Sequence, residues 1–192
     1  MSISFLKQTC KWTFVLLWFG IASGLVVAMS SNTSRAFDHD NRLAMELMSL
    51  DFEGNLVNAL RSAQPMRGDR IVHLSSANGC FCQVLAESHI EKLNALVKTS
   101  DTHVITLNID EHRALQKLVP STPAIAVISA REELLYFGPY SQGSGCFSSS
   151  GEVDSVINRN LLEKNLRSSR QAPDTIIKAE AKGCYCNQPL PI

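Results

Sequence analysis

The strongest constraint on this chain is a five-residue stretch, Asn78-Gly79-Cys80-Phe81-Cys82, set between an apolar run and a helical repeat. Ile71-Val72-His73-Leu74 precedes it without polar alternation, the pattern of a strand buried on both faces. A helical pattern starts at once after it and runs to about Lys98, with Cys82, Ala86, His89, Leu93 and Leu96 on one stripe. A strand that turns through Gly79 into a helix delivers both thiols to the helix N-terminus. Unsatisfied N–H groups and the positive end of the macrodipole lie there. That field favours the thiolate, the form that attacks disulfides and binds metals. Two cysteines one residue apart at such a spot read as a redox pair, and two inert buried cysteines are the plainer alternative.

What cysteines do depends on their compartment. The chain has six: Cys10, Cys80, Cys82, Cys146, Cys184 and Cys186. Trp12 to Met29 is an unbroken uncharged run, WTFVLLWFGIASGLVVAM. As a helix it spans about 27 Å, close to the roughly 30 Å hydrocarbon core of a bilayer. Lys7 and Lys11 precede it, and little positive charge follows. This predicts a single-pass anchor with its N-terminus in the cytoplasm and the body of the protein outside. Secretion after cleavage of a signal peptide is the alternative, but Val27-Ala28-Met29-Ser30 is a poor cleavage site. In either case five cysteines face an oxidising space, while Cys10 stays behind and is incidental. Formal net charge is zero, so no basic surplus points to nucleic acid. The expected layout is a cytoplasmic N-terminus (1–11), an anchor (12–29), a linker (30–39), a folded domain (40–166) and a cysteine-containing tail (167–192).

Within the domain, Leu43, Leu47, Leu50, Leu56, Ala59 and Leu60 suggest one or two helices broken near Gly54, with Asp40 or Asn41 as cap. Strands follow at Arg70–Ser75 and Thr102–Ile109, with a short helix at Glu111–Val119 capped by Asp110. Pro123 then opens an apolar strand, Ala124 to Ser129, and an X-Pro bond is where a cis peptide costs least. Leu134 to Phe137 returns antiparallel, and Ser149-x-x-Glu152 has the form of a capping box before a last helix striped by Val153, Val156, Ile157 and Leu161. His73 and His89 read as hydrogen-bonded, buried or half-buried histidines. His89 lies about 10 Å along the helix from Cys82, too far for direct contact.

From Arg42 to Leu166 this order resembles the thioredoxin-like superfamily. Asn78-Gly79-Cys80-Phe81-Cys82 after a buried strand and Ser121-Thr122-Pro123-Ala124 before the next carry the resemblance. The implied fold is α/β, a thioredoxin-like mixed sheet flanked by helices, here preceded by one transmembrane helix. The resemblance implies that Cys80 is the nucleophile, Cys82 the resolving thiol and Pro123 a cis-proline facing them. Here the tryptophan of the usual motif is missing and only one residue separates the cysteines. The chain looks closest to membrane-anchored bacterial thioredoxin-like proteins that share the Cys-x-Cys site, a Tyr-Phe-Gly-Pro-Tyr-Ser segment (Tyr136 to Ser141) and a Gly-Cys-aromatic-Cys tail, which implies an inner-membrane anchor with the domain in the periplasm.

That tail, Gly183-Cys184-Tyr185-Cys186, repeats the Gly-Cys-Phe-Cys of the main site. Three readings of it stand open. It is a redox relay that exchanges disulfides with Cys80 and Cys82. It is a structural staple to the domain, with Cys146 as a candidate partner. Or it completes a metal site of Cys80, Cys82, Cys184 and Cys186 for copper or zinc. The expected function is thiol–disulfide exchange with protein thiols or disulfides, with no cofactor required. A metal-binding or chaperone module and a redox-inert interaction domain are the alternatives. No Ser/His/Asp order, phosphate loop or HExxH helix appears.

Overall fold

A computed structural model of the chain describes residues 3–49, 51–77, 79–142, 152–162 and 174–189, with side chains in the N-terminal helix for residues 11–26. Two compact units make up the chain, Met1–Ser34 and Arg35–Ile192. The first is one helix, α1 (Ile3–Thr33). Trp12, Phe14, Leu16, Trp18, Phe19, Ile21 and Leu25 on it are each more than half exposed, so no polar stripe separates a wet face from a dry one. Among the described residues no helix is long and apolar enough to cross a membrane. The described side chains of α1 stop at Val26, inside the apolar run that continues to Met29.

The second unit opens with β1 (Arg35–Ala36), α2 (Arg42–Leu47), α3 (Phe52–Ala63), β2 (Asp69–Ser75) and α4 (Phe81–Val97). β3 (Thr102–Asn108), a 3-10 turn (Ile109–Glu111), α5 (Arg113–Leu118), β4 (Ser121–Thr122), β5 (Ala124–Ile128) and β6 (Leu134–Gly138) follow. The described part ends with α6 (Glu152–Ile157), a π-type turn (Asn158–Leu162), β7 (Ile176–Ile177), β8 (Lys182–Gly183) and β9 (Cys186–Asn187). Five strands form a mixed sheet in the order β3-β2-β5-β6-β7, with β2/β3 and β6/β7 parallel and the other pairs antiparallel. The α/β class and the helix-flanked mixed sheet agree with the sequence reading.

β2 and β5 lack alternation because both their faces are covered. Val72, Leu74, Ala124, Ala126 and Ile128 pack into one cluster with Leu43, Leu56 and Leu115. Ile71, Ile125 and Val127 pack on the other side with Leu93, Val97, Val153 and Ile157. Each such side chain contributes about 1.5–3 kcal/mol through burial. The stripe expected on α6 is buried, including Leu161 in the turn that continues it.

Three local expectations are corrected. The helical break falls at residues 48–51 and Gly54 lies inside α3. Gly54 is accommodated there because a Cβ would stand 2.4 Å from Asp51 Oδ1. Asn41 takes the N-cap position of α2 in a left-handed conformation (φ 58°), but its side chain does not cap. Asp40, the other expected cap, accepts from Arg42 N–H at 3.3 Å, and Asp38 adds to it from further back, accepting from the Leu43 and Ala44 N–H groups at 3.1 and 2.8 Å. Asp110 does not cap α5, whose N-cap is His112. Its Oδ2 instead accepts from Ala77 N–H at 2.7 Å, pinning the loop before the cysteines.

The tail is woven into this unit. β7 extends the main sheet, β8 pairs with β1, and β9 pairs antiparallel with β4. β6 ends on Gly138 because the tail passes over it: a Cβ there would lie 2.8 Å from Lys178 Cβ. Phe37, in the stretch read as linker, is fully buried against Phe137 and Tyr185. Cys146, the capping-box Ser149 and residues 167–173 of the expected linker lie outside the described residues.

Candidate functional site

The site forms where β2 runs out. Gly79 takes a left-handed conformation (φ 57°), a turn that glycine makes without steric cost. Cys80 then takes the N-cap of α4 in extended conformation, and Cys82 sits one residue further into the helix than Phe81. No acidic residue occupies the first turn of α4, so nothing there offsets the positive end of its dipole. This is the placement expected from the sequence.

The pairing of the sulfurs is different from a closed Cys80–Cys82 ring. Cys80 is bonded to Cys186 and Cys82 to Cys184, with Cα–Cα distances of 6.1 and 5.4 Å, inside the usual disulfide range. Both tail cysteines meet the helix terminus from different local settings: Cys184 lies in the bend that follows β8, and Cys186 opens β9 beside β4. Tyr185, between them, points the other way into the core, stacked edge-on to Phe37 at 5.4 Å. The tail cysteines are thus joined directly to Cys80 and Cys82, a connectivity that the staple and relay readings share. The Sγ atoms of Cys80, Cys82 and Cys186 all lie within 4.8 Å of one another.

Pro123 is on the same side. The Thr122–Pro123 bond is cis. Cys82, His89, Pro123, Tyr140, Cys184 and Tyr185 line one pocket of about 20 Å³, room for a single water molecule. His89 thus shares a pocket with Cys82 although the helix separates them along its axis.

Several residues that sequence patterns did not single out hold this arrangement. Thr122 is fully buried, and its hydroxyl lies 3.0 Å from Ser76 Oγ. Gln188 Nε2 donates to Thr122 Oγ1 at 3.1 Å, and Gln83 Nε2 donates to Ser76 O at 2.9 Å. Gln188 N–H donates to Pro120 O at 2.9 Å, continuing the β4/β9 pairing. Arg42, buried despite its charge, donates to Gln116 O at 2.8 Å and to Gln188 O. Its Nε donates to Asp40 Oδ2 at 2.9 Å. Burial alone would raise the Asp40 carboxyl, but the Arg42 hydrogen bonds and charge hold it below the ordinary carboxylate range. The only sequence signal for Arg42 was a lone cation beside an aspartate, which reads as surface.

Behind the pocket, His73 is the core histidine expected. Its Nδ1 lies 2.6 Å from Tyr140 Oη and its Nε2 3.0 Å from Asn94 Oδ1. The Asn94 carbonyl oxygen can only accept, so Nε2 carries the proton and Nδ1 accepts from the tyrosine. Burial pushes the His73 imidazole below its ordinary value and the Tyr140 phenol above its own.

The family model described as "Domain of unknown function (DUF6436)" matches residues 49–188, a span that holds both Cys-x-Cys pairs and leaves out α1. No curated protein and no solved structure matches the chain. The match covers well over half of the sequence, and the chain belongs to the DUF6436 family.

Proposed function

We propose that this protein is a thiol–disulfide exchange protein of thioredoxin-like type, held by α1 at the periplasmic face of the inner membrane. The observation that carries the reading is the Cys80–Cys186 bond made beside a paired strand. The tail meets the N-cap cysteine of α4 while its backbone pairs with Ser121 and Thr122, next to cis-Pro123. A protein segment caught in a mixed disulfide would need the same two contacts, one to sulfur and one to a strand edge. Phe81, 68% exposed, and Val84, 56% exposed, lie on the first turns of α4 and offer such a segment apolar contact.

With both pairs oxidised, the first exchange accepts electrons. A partner thiolate attacks Cys80 Sγ, and Cys186 leaves as a thiolate. A second partner thiolate attacks the partner's own sulfur in the mixed disulfide and releases Cys80. The partner dithiol loses two electrons and two protons, and the Cys80–Cys186 bond takes them up as two thiols. Three sulfurs within 4.8 Å allow the remaining disulfide to shift between head and tail, which is the relay. In the reduced protein Cys80 attacks a partner disulfide and Cys82 resolves it. The dipole at the head of α4 lowers the cost of each Cys80 thiolate.

The test is oxidation of a reduced dithiol peptide, and reduction of insulin, by the full-length protein. Cys80→Ser is expected to bring both to the uncatalysed background. A Cys80→Ser protein that retains the wild-type rate in either assay overturns the reading.

A further inference from the structure

We infer that reduction converts the same four cysteines into a thiolate site for a single soft d10 cation, zinc(II) or copper(I). The inference is independent of exchange, because any reductant that opens both disulfides exposes the site. Opening them takes four electrons and four protons, supplied by two equivalents of a dithiol, and leaves four thiols. The cation displaces thiol protons as it binds.

What makes the site is that the tail is held by contacts other than its disulfides. Tyr185 is buried against Phe37 and its hydroxyl donates to Ser141 O at 2.8 Å. Gln188 is gripped by Pro120, Thr122 and Arg42. β7 stays in the main sheet beside β6. With the S–S bonds gone, these contacts keep Cys184 and Cys186 facing Cys80 and Cys82. A tetrahedral zinc site with Zn–S of about 2.3 Å needs its sulfurs about 3.8 Å apart. Cys80, Cys82 and Cys186 already have their Sγ atoms within 4.8 Å of one another, and Cys184 Sγ is bonded to Cys82. Cys80, Cys82 and Cys186 stand together as three ligands, and Cys184, bonded to Cys82 and outside that group of three, moves in as the fourth once its disulfide opens.

The donor set decides the class of ion. This is the one group of three or more metal-ligating side chains among the described residues, and it is sulfur throughout. Thiolates without carboxylates select zinc and copper(I) over magnesium or calcium. The α4 N-terminus, free of acidic residues in its first turn, offsets part of the thiolate charge. Oxidation to the two disulfides removes every ligand at once, so cation binding and disulfide formation exclude each other.

The experiment uses full-length protein reduced anaerobically and freed of reductant. One portion is titrated with zinc against a chromophoric chelator, and another with copper(I) against a competing copper(I) chelator. One equivalent of either ion is expected to bind, with none bound by the oxidised protein. Cys184→Ser and Cys186→Ser should each weaken binding by about a hundredfold or more, and Tyr185→Ala, which keeps all four ligands, by about tenfold. Binding of neither ion overturns the inference. So does binding that survives both tail substitutions unchanged, since a site built from Cys80 and Cys82 alone needs no tail. Because no turnover is involved, failure here leaves the exchange assay to be judged separately.

Discussion

His73 shows how a single buried residue sets a pH limit on this fold. It sits on the central strand with both ring nitrogens engaged, Nδ1 by Tyr140 and Nε2 by Asn94. Taking it into the core penalises the imidazolium more than the Asn94 bond supports it, so its folded value lies below the ordinary 6.5. As pH falls, the unfolded chain therefore takes up the proton first. The stability His73 contributes is complete above about pH 6.5 and is lost as pH falls from there through the folded value. Thermal unfolding followed from pH 8 to 5 should show a falling midpoint that is flatter in His73→Phe than in wild type. Equal slopes in the two proteins would show that the ring is not held neutral.

At the scale of elements, the strands were legible and the tail was not. β2 and β5 announced themselves through unbroken apolar runs, and α4 through its stripe from Cys82 to Leu93. Pro123 was legible as a special position because proline before an apolar strand is rare. β7, β8 and β9 are two residues each, too short for any periodicity to appear. Their place is fixed by long-range partners, Phe137, Arg35 and Thr122, that no local pattern reveals. Of the groups that cap α2, Asp40 was legible and Asp38 was not, because Asp38 reaches its N–H groups from outside the usual capping position. α1 is the opposite case, an element whose sequence says more than its own contacts. Its side chains from Trp12 to Val26 are nearly all exposed and mostly apolar, with the hydroxyls of Thr13 and Ser23 among them. The anchor reading predicts that the full chain stays with the membrane pellet through alkaline carbonate extraction, whereas a chain starting at Ser34 is released. Release of the full chain by carbonate would remove the anchor.

For the molecule as a whole, the two disulfides close the chain on itself over sequence separations of 106 and 102 residues. A loop of that size removes about 4.7 kcal/mol of unfolded-state entropy for the first bond closed, a large share of the roughly 5–15 kcal/mol that holds a domain together. The second bond adds less, because the first has already brought the segments together. Sequence alone left relay, staple and metal site open for Cys184 and Cys186, since four cysteines in two identical motifs allow three connectivities. Register bears on the connectivity alone: Thr122 opposite Cys186 in the β4/β9 pair sets which tail sulfur meets the N-cap. Both proposals, exchange in the cross-linked state and cation capture in the reduced one, depend on head and tail meeting there.

The most direct measurement is therefore a disulfide map of the natively isolated protein, alkylated before digestion. Chymotryptic cleavage after Phe81 and Tyr185 separates all four cysteines onto different peptides. The expected result is Cys80 linked to Cys186 and Cys82 linked to Cys184, with both linked species lost on reduction. Cys80 found joined to Cys82, or all four cysteines found alkylated as free thiols, would contradict it.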